Sequence, residues 1–206
     1  VVDEISFHAN GGELLTISIG RSLRRVRGTV VVRPAEDRLA ITATLSVEDY
    51  LAGALAAESY GTDPLEYLIA LSVLQRNFIA THRNRHAPLA DVCDNTHCQR
   101  TDMGSAAPRQ RSAVKQGRAI QLQGSPCYYS VNCGGTTLTP QQVWGRAEAG
   151  YSSVRCTYCA ASRWRHWGRT IPSSPEVDRL LASRRPLPCV DDELKIAIGR
   201  IVGFGR

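Results

Sequence analysis

The chain has 206 residues, 43% of them hydrophobic and 21% charged, which is the make-up of a globular protein with enough length for one substantial core. No apolar run approaches the roughly 18–20 residues of a membrane-spanning helix, and the opening "VVDEISFHAN" lacks the basic and then apolar character of a signal peptide. The net charge of +6 is carried almost wholly by arginine, with Lys115 and Lys195 the only lysines; because the arginines are scattered and no RNA-recognition signature, zinc-finger repeat or basic helix accompanies them, nucleic acid is not the expected partner.

The chain opens on alternating segments, "ELLTISI", "TVVVRP" and "LAITATL", broken at Gly20, Gly28 and "PAED", so residues 1–45 read as a β-rich lead-in. From Ser46 the period becomes helical. Ser46 is a good N-cap, Asp49 supplies an acidic first turn and Gly61 stops the helix. A second helix is expected with Asp63 as N-cap and Pro64 as first helical residue, running to about residue 82 and forming an αα hairpin with the first. From there to about residue 112 the text is polar and punctuated by Pro88, Gly104 and Pro108, a long loop of the kind that is functional or stapled. The segment "VKQGRAIQLQGSPCYYSVNCGGTT" predicts a short helix and two strands joined at "GSP", "SPEVDRLLAS" another helix, and "LKIAIGRIVGFGR" a final strand pair. The class is α+β, one domain over 1–206, with a core at 46–160 and a C-terminal helix and strands at 161–206.

Two charged residues stand on apolar helix faces. Leu51, Ala54, Leu55 and Glu58 recur at i, i+3, i+4 and i+7, which puts a carboxylate among apolar neighbours, where its pKa rises toward what a general acid needs; alternatively the helix frays before Glu58 and its side chain points outward, while Glu48 and Asp49 can remain in solvent. On the second helix Leu65, Leu68, Ile69, Ser72, Arg76 and Ile79 share a stripe, so Arg76 calls for an acidic partner and Glu58 is one candidate; alternatively it snorkels at the helix edge.

The long loop contains "VCDNTHCQR", with Cys93, His97 and Cys98 inside six positions and His86 just upstream. A metal site, a Cys/His nucleophile pair, and a disulfide beside an ordinary histidine all use such residues, and spacing alone does not choose among them. Seven cysteines are many for a cytosolic protein and an odd number for a secreted one held only by disulfides, so a mixture of metal ligation and one or two disulfides is expected.

The strings "LSVEDYLAGALAAES", "DPLEYLIALSVLQRNFIATH", "VCDNTHCQ", "YYSVNCGGTT" and "VWG", in this order, resemble the stage II sporulation protein D family, which includes amidase-enhancer proteins of the bacterial cell wall. The resemblance implies an extracytoplasmic lytic transglycosylase that cleaves peptidoglycan between N-acetylmuramic acid and N-acetylglucosamine, leaving 1,6-anhydro ends and working among other cell-wall hydrolases. It places the catalytic glutamate at Glu58, followed here by Ser59 where the family usually has methionine, and matches Arg76 to the family arginine, with Phe78 in place of a tyrosine. It also implies one structural zinc on His86, Cys93, His97 and Cys98, and substrate contacts from Arg76, Gln99, Tyr129, Ser130, Gly134 and Gly135; a tight turn is the plain alternative for the two glycines. A non-catalytic glycan-binding or amidase-stimulating module of the same fold is the rival function. Cys156 and Cys159 read either as a second metal half-site or as half of a disulfide with Cys127 or Cys133, and Cys189 stands alone.

Overall fold

A computed structural model of the chain describes residues 3–19, 22–35, 38–162 and Pro175. The helix expected in "SPEVDRLLAS", apart from Pro175, the strand pair expected in "LKIAIGRIVGFGR", and Cys189 lie outside these residues. The chain is a mixed α and β protein that divides into two compact units, Val1–Tyr128 and Tyr129–Arg206.

The first unit begins with five strands, β1 (Ile5–His8), β2 (Leu15–Ile19), β3 (Ser22–Val26), β4 (Thr29–Ala35) and β5 (Arg38–Thr44). In the antiparallel sheet β1-β4-β5, Val30 stands opposite Phe7 on one side and Ala43 on the other. The pair β2-β3 forms a separate antiparallel ribbon with Ile17 opposite Arg24. Pro34 is tolerated inside β4 because pairing with β1 ends at Val32, so the proline occupies a stretch with a neighbour on one side only. Gly28 sits at φ +103°, and a Cβ there would lie 2.3 Å from the Thr44 carbonyl oxygen, so only glycine fits between β3 and β4. Val26 and Val30 pack with Met103 from the long loop, flanked by Leu14, Leu15, Ile17, Val32 and Leu45.

Three helices follow. α1 (Val47–Glu58) is capped by Ser46, whose hydroxyl accepts the Asp49 N–H, and it ends at Ser59, two residues before the glycine expected to stop it. α2 (Leu65–Thr81) has Pro64 at its N-cap; Asp63 does not cap it, because its carboxylate accepts the Tyr60 N–H across the tight connection instead. α1 and α2 pack on one another and on α3 (Pro108–Gln116). Pro108 is thus the first residue of a helix, where its missing N–H is harmless, and the loop ends before it.

The fully buried side chains Leu51, Leu55, Leu68 and Val114 come from all three helices, and each contributes about 1.5–3 kcal/mol by leaving water. The buried stripe of α2 is Leu68, Leu71, Ser72, Gln75 and Phe78, rotated from the one expected, so Arg76 falls at its edge.

The two strands expected around "GSP" do not form: α3 passes into a 3-10 turn (Gly117–Ala119), and residues 120–135 carry no strand. Ile120 and Leu122, both largely exposed, line an open apolar groove with Ile69, Val73 and Leu74 of α2. The second unit contains the short helix α4 (Pro140–Trp144), capped by Thr139 and ended by Gly145 at φ +69°, a single bridge between Thr136 and Arg155, and a 3-10 turn (Tyr158–Ala161).

Candidate active site and metal centre

Glu58 is the last residue of α1 and half-buried. Burial pushes its pKa up and the Arg100 guanidinium opposes this, with a net upward shift. The negative end of the helix dipole acts in the same direction as burial. Tyr67, in the first turns of α2, is within electrostatic reach: burial, then Asp63, then Glu58 push its phenol up. Neither Tyr67 nor Arg100 is apparent from sequence spacing, since 42 residues separate Glu58 from Arg100 (100 − 58) and no periodicity links them.

The loop reaches α1 because of a glycine. A Cβ on Gly53 would come within 2.8 Å of the Met103 Cγ and 3.2 Å of its backbone nitrogen. The neighbouring Asp102 N–H donates to the Gly53 carbonyl at 2.9 Å. That seat sets Asp102 and Met103 against α1. The C-terminal end of the helix is closed by Gln110 of α3, which is buried and donates to the Ser59 hydroxyl (3.0 Å), the Ser59 carbonyl (3.3 Å) and the Leu55 carbonyl (3.4 Å). Ser59, where the resembling family usually has methionine, therefore has a structural partner beside Glu58.

Arg76 is placed away from Glu58. Its guanidinium lies 3.5 Å from Glu48 and 3.5 Å from the Val114 carbonyl, with 18% of its side chain exposed. Glu48 and Glu58 are ten residues apart on α1, about 15 Å along the axis, so an arginine held at one does not reach the other. Glu48 and Asp49 are not left to solvent: Arg118 also approaches Glu48, while Arg27 and Arg111 approach Asp49. Gln99 is 2% exposed and donates to the Gln75 carbonyl at 3.5 Å, so it ties the loop to α2 and does not face open space.

The loop brings His86, Cys93, His97 and Cys98 together, their ligand atoms all within 4.8 Å of one another. His86 Nε2 is 3.3 Å from Cys98 Sγ, and His97 Nδ1 is 3.6 Å from Cys98 Sγ and 3.8 Å from Cys93 Sγ. A tetrahedral ion with metal–sulfur bonds of about 2.3 Å and metal–nitrogen bonds of about 2.05 Å sets sulfur–nitrogen edges of about 3.6 Å, so the donor set fits a metal. Asn95 makes the turn: its side-chain oxygen accepts the His97 N–H at 2.8 Å, and its carbonyl accepts the Cys98 N–H at 3.1 Å. The Cys93 thiol donates toward Cys98 and pulls the Cys98 pKa down most strongly; the Cys93 N–H and both imidazoles act the same way against burial. Arg85 lies 3.4 Å from His97 Nε2. An imidazole that binds metal through Nδ1 carries its proton on Nε2, so that contact has to open when a metal is bound. Arg24 of β3 pairs with Asp94 at 2.9 Å and fastens the loop to the ribbon.

In the second unit Ser130 is exposed and Tyr129 partly buried. Gly134 and Gly135 have φ of +67° and +111° and form a turn, with Asn132 accepting the Gly134 N–H at 2.7 Å. The same turn carries Cys133 to Cys156 and Cys159.

Residues 35–122, somewhat under half of the chain, match the family model of the stage II sporulation protein, SpoIID. The matched segment holds Glu58, Arg76 and the four His/Cys residues, and stops before Tyr129. An uncharacterized protein of Brachyspira hyodysenteriae is 28% identical over 146 residues, covering 65% of this chain and 38% of the relative, so the chain spans well under half of that protein's length. No solved structure matches. Among the described residues no helix is long and apolar enough to cross a membrane.

Proposed function

We propose that the protein is a lytic transglycosylase acting at the bacterial cell wall on peptidoglycan glycan strands between N-acetylmuramic acid and N-acetylglucosamine. The observation that carries this reading is a half-buried glutamate, Glu58, held at the end of a helix with a raised pKa beside one exposed arginine. Protonated Glu58 gives its proton to the glycosidic oxygen as that bond to the muramic acid anomeric carbon breaks. The resulting carboxylate takes the proton of the C6 hydroxyl as its oxygen bonds to the same carbon, giving the 1,6-anhydro ring without water. Arg100 stabilises the carboxylate between the two steps, and one acidic group serves both.

In this reading His86, Cys93, His97 and Cys98 would hold one structural zinc, which would serve to close the loop that carries Arg100 and would leave no position for a reacting water. Arg76 and Gln99 act by positioning, Arg76 through Glu48 and Gln99 through α2. Tyr129, Ser130, Gly134 and Gly135 are the proposed glycan contacts of the second unit, and other cell-wall hydrolases the proposed partners.

Mass spectrometry of purified glycan strands after incubation tests the reaction. Products ending in 1,6-anhydro-muramic acid are expected from the parent protein and are expected to fall by several orders of magnitude in Glu58→Gln, whose amide cannot deliver a proton. Cleavage within tenfold of the parent removes Glu58 from the mechanism, and glycan binding without new ends makes the protein a non-catalytic module. For the metal, Cys98→Ser is expected to lose the loop zinc, with a lower melting temperature and reduced activity; retained loop zinc refutes the ligand set.

A further inference from the structure

The second unit contains a metal-binding geometry of its own. Cys133, Cys156 and Cys159 place their sulfurs within 4.8 Å of one another. The Cys133–Cys159 and Cys156–Cys159 separations are 3.4 and 3.8 Å. Thiolates on a tetrahedral zinc, with bonds of about 2.3 Å, lie about 3.8 Å apart. A disulfide, by contrast, uses two sulfurs at about 2.05 Å and leaves the third without a role.

The backbone supports convergence of all three. The Gly134–Gly135 turn reverses the chain directly after Cys133, with the Thr136 N–H donating to the Cys133 carbonyl at 3.3 Å. The Cys156 N–H donates to the Gly135 carbonyl at 2.9 Å, and Thr137 and Val154 are joined by three further bonds, so the turn and the "CTYC" segment are laced side by side. In that segment Cys156 and Cys159 are separated by two residues, the short spacing with which metal-binding knuckles grip an ion.

We propose that Cys133, Cys156 and Cys159 hold a second zinc ion through three thiolates, independent of the loop cluster around Cys98. Its role is to staple a unit whose described part has only the five-residue α4, a 3-10 turn and one isolated bridge as regular structure. Three protein ligands leave the fourth tetrahedral position to a ligand beyond this cluster.

The test is zinc counting by elemental analysis on the full chain, purified reduced and without chelator. The double variant Cys156→Ser/Cys159→Ser is expected to contain one zinc fewer per chain than its parent, whatever the loop site holds. Cys98→Ser reports the loop site separately, so failure of that site and failure of this one read out in different variants. Should the double variant fail to fold, the parent protein decides by thiol alkylation and peptide mapping. Cys133, Cys156 and Cys159 are expected to be protected together and to label together once chelator is added. Unchanged zinc content in the double variant, labelling at equal rates with and without chelator, or a disulfide joining any two of the three each overturns the proposal.

Discussion

The two ends of α1 carry acidic residues under opposite conditions. At the N-terminal end Glu48 and Asp49 sit where the helix dipole favours negative charge and are met by Arg76, Arg118, Arg27 and Arg111. At the C-terminal end Glu58 sits half-buried against the dipole, opposed only in part by Arg100. The same side-chain chemistry is thus neutralised at one end and kept easily protonated at the other. Electrostatics that the fold leaves unrelieved mark Glu58 as the reactive candidate, and the well-compensated end is scaffold.

Glu58→Gln tests this contrast most strongly. Beyond the loss of cleavage, it is expected to change stability in a pH-dependent way. A carboxyl whose pKa is raised by folding contributes stability that is present below its unfolded pKa and lost as pH rises through its folded one. Glu58→Gln is therefore expected to melt higher than the parent at neutral pH and level with it in acid, below the ordinary carboxylate range; thermal melts across pH decide. A variant that is less stable at neutral pH would show Glu58 to be a satisfied structural group.

Arg76→Ala is the next largest effect. It leaves Glu48 with the more exposed Arg118 and removes a packed side chain at the junction of α1, α2 and α3, which is expected to cost about 2 kcal/mol by denaturant unfolding. Arg83→Ala, on the segment after α2, is expected to be nearly silent. Equal small effects would make Arg76 an ordinary surface residue.

Arg100→Gln sharpens the comparison from the other side. Without the guanidinium the Glu58 pKa moves further up, so the alkaline limb of activity, where the acid loses its proton, is expected to shift to higher pH. An unmoved limb would mean that another group sets it. The smallest effects belong to Glu48→Gln and Asp49→Asn, about 0.5 kcal/mol each and weakened by salt, because both acids are partly exposed and shared between two arginines.

Local pattern carried much of the fold. Alternation located β2, β4 and β5, and the change of period at Ser46 located α1 and α2, because these signals depend on neighbours a few residues apart. β1 escaped it: its four residues have pairing partners more than twenty positions away. The expected strands near Ile120 did not form because alternation states only that one face is apolar and does not supply a partner strand to pair with. Among the candidate site residues, the helix-face argument isolated Glu58, and the resemblance grouped the four loop His and Cys residues whose donor atoms lie within 4.8 Å of one another. The acid beside Arg76 was not legible, since charge pairing between elements has no period.

By itself the sequence determined which segments could be helix or strand, that a carboxylate would sit on an apolar face, and that histidine and cysteine would crowd one loop, since each follows from side-chain type and short-range spacing. Tertiary structure alone decided which arginine meets which acid, that Gly53 admits Met103, that Arg100 comes within electrostatic reach of Glu58, that Gln99 is buried, and that Cys133 joins Cys156 and Cys159. Those outcomes depend on distances between residues far apart in the chain, which only the packing of the elements sets.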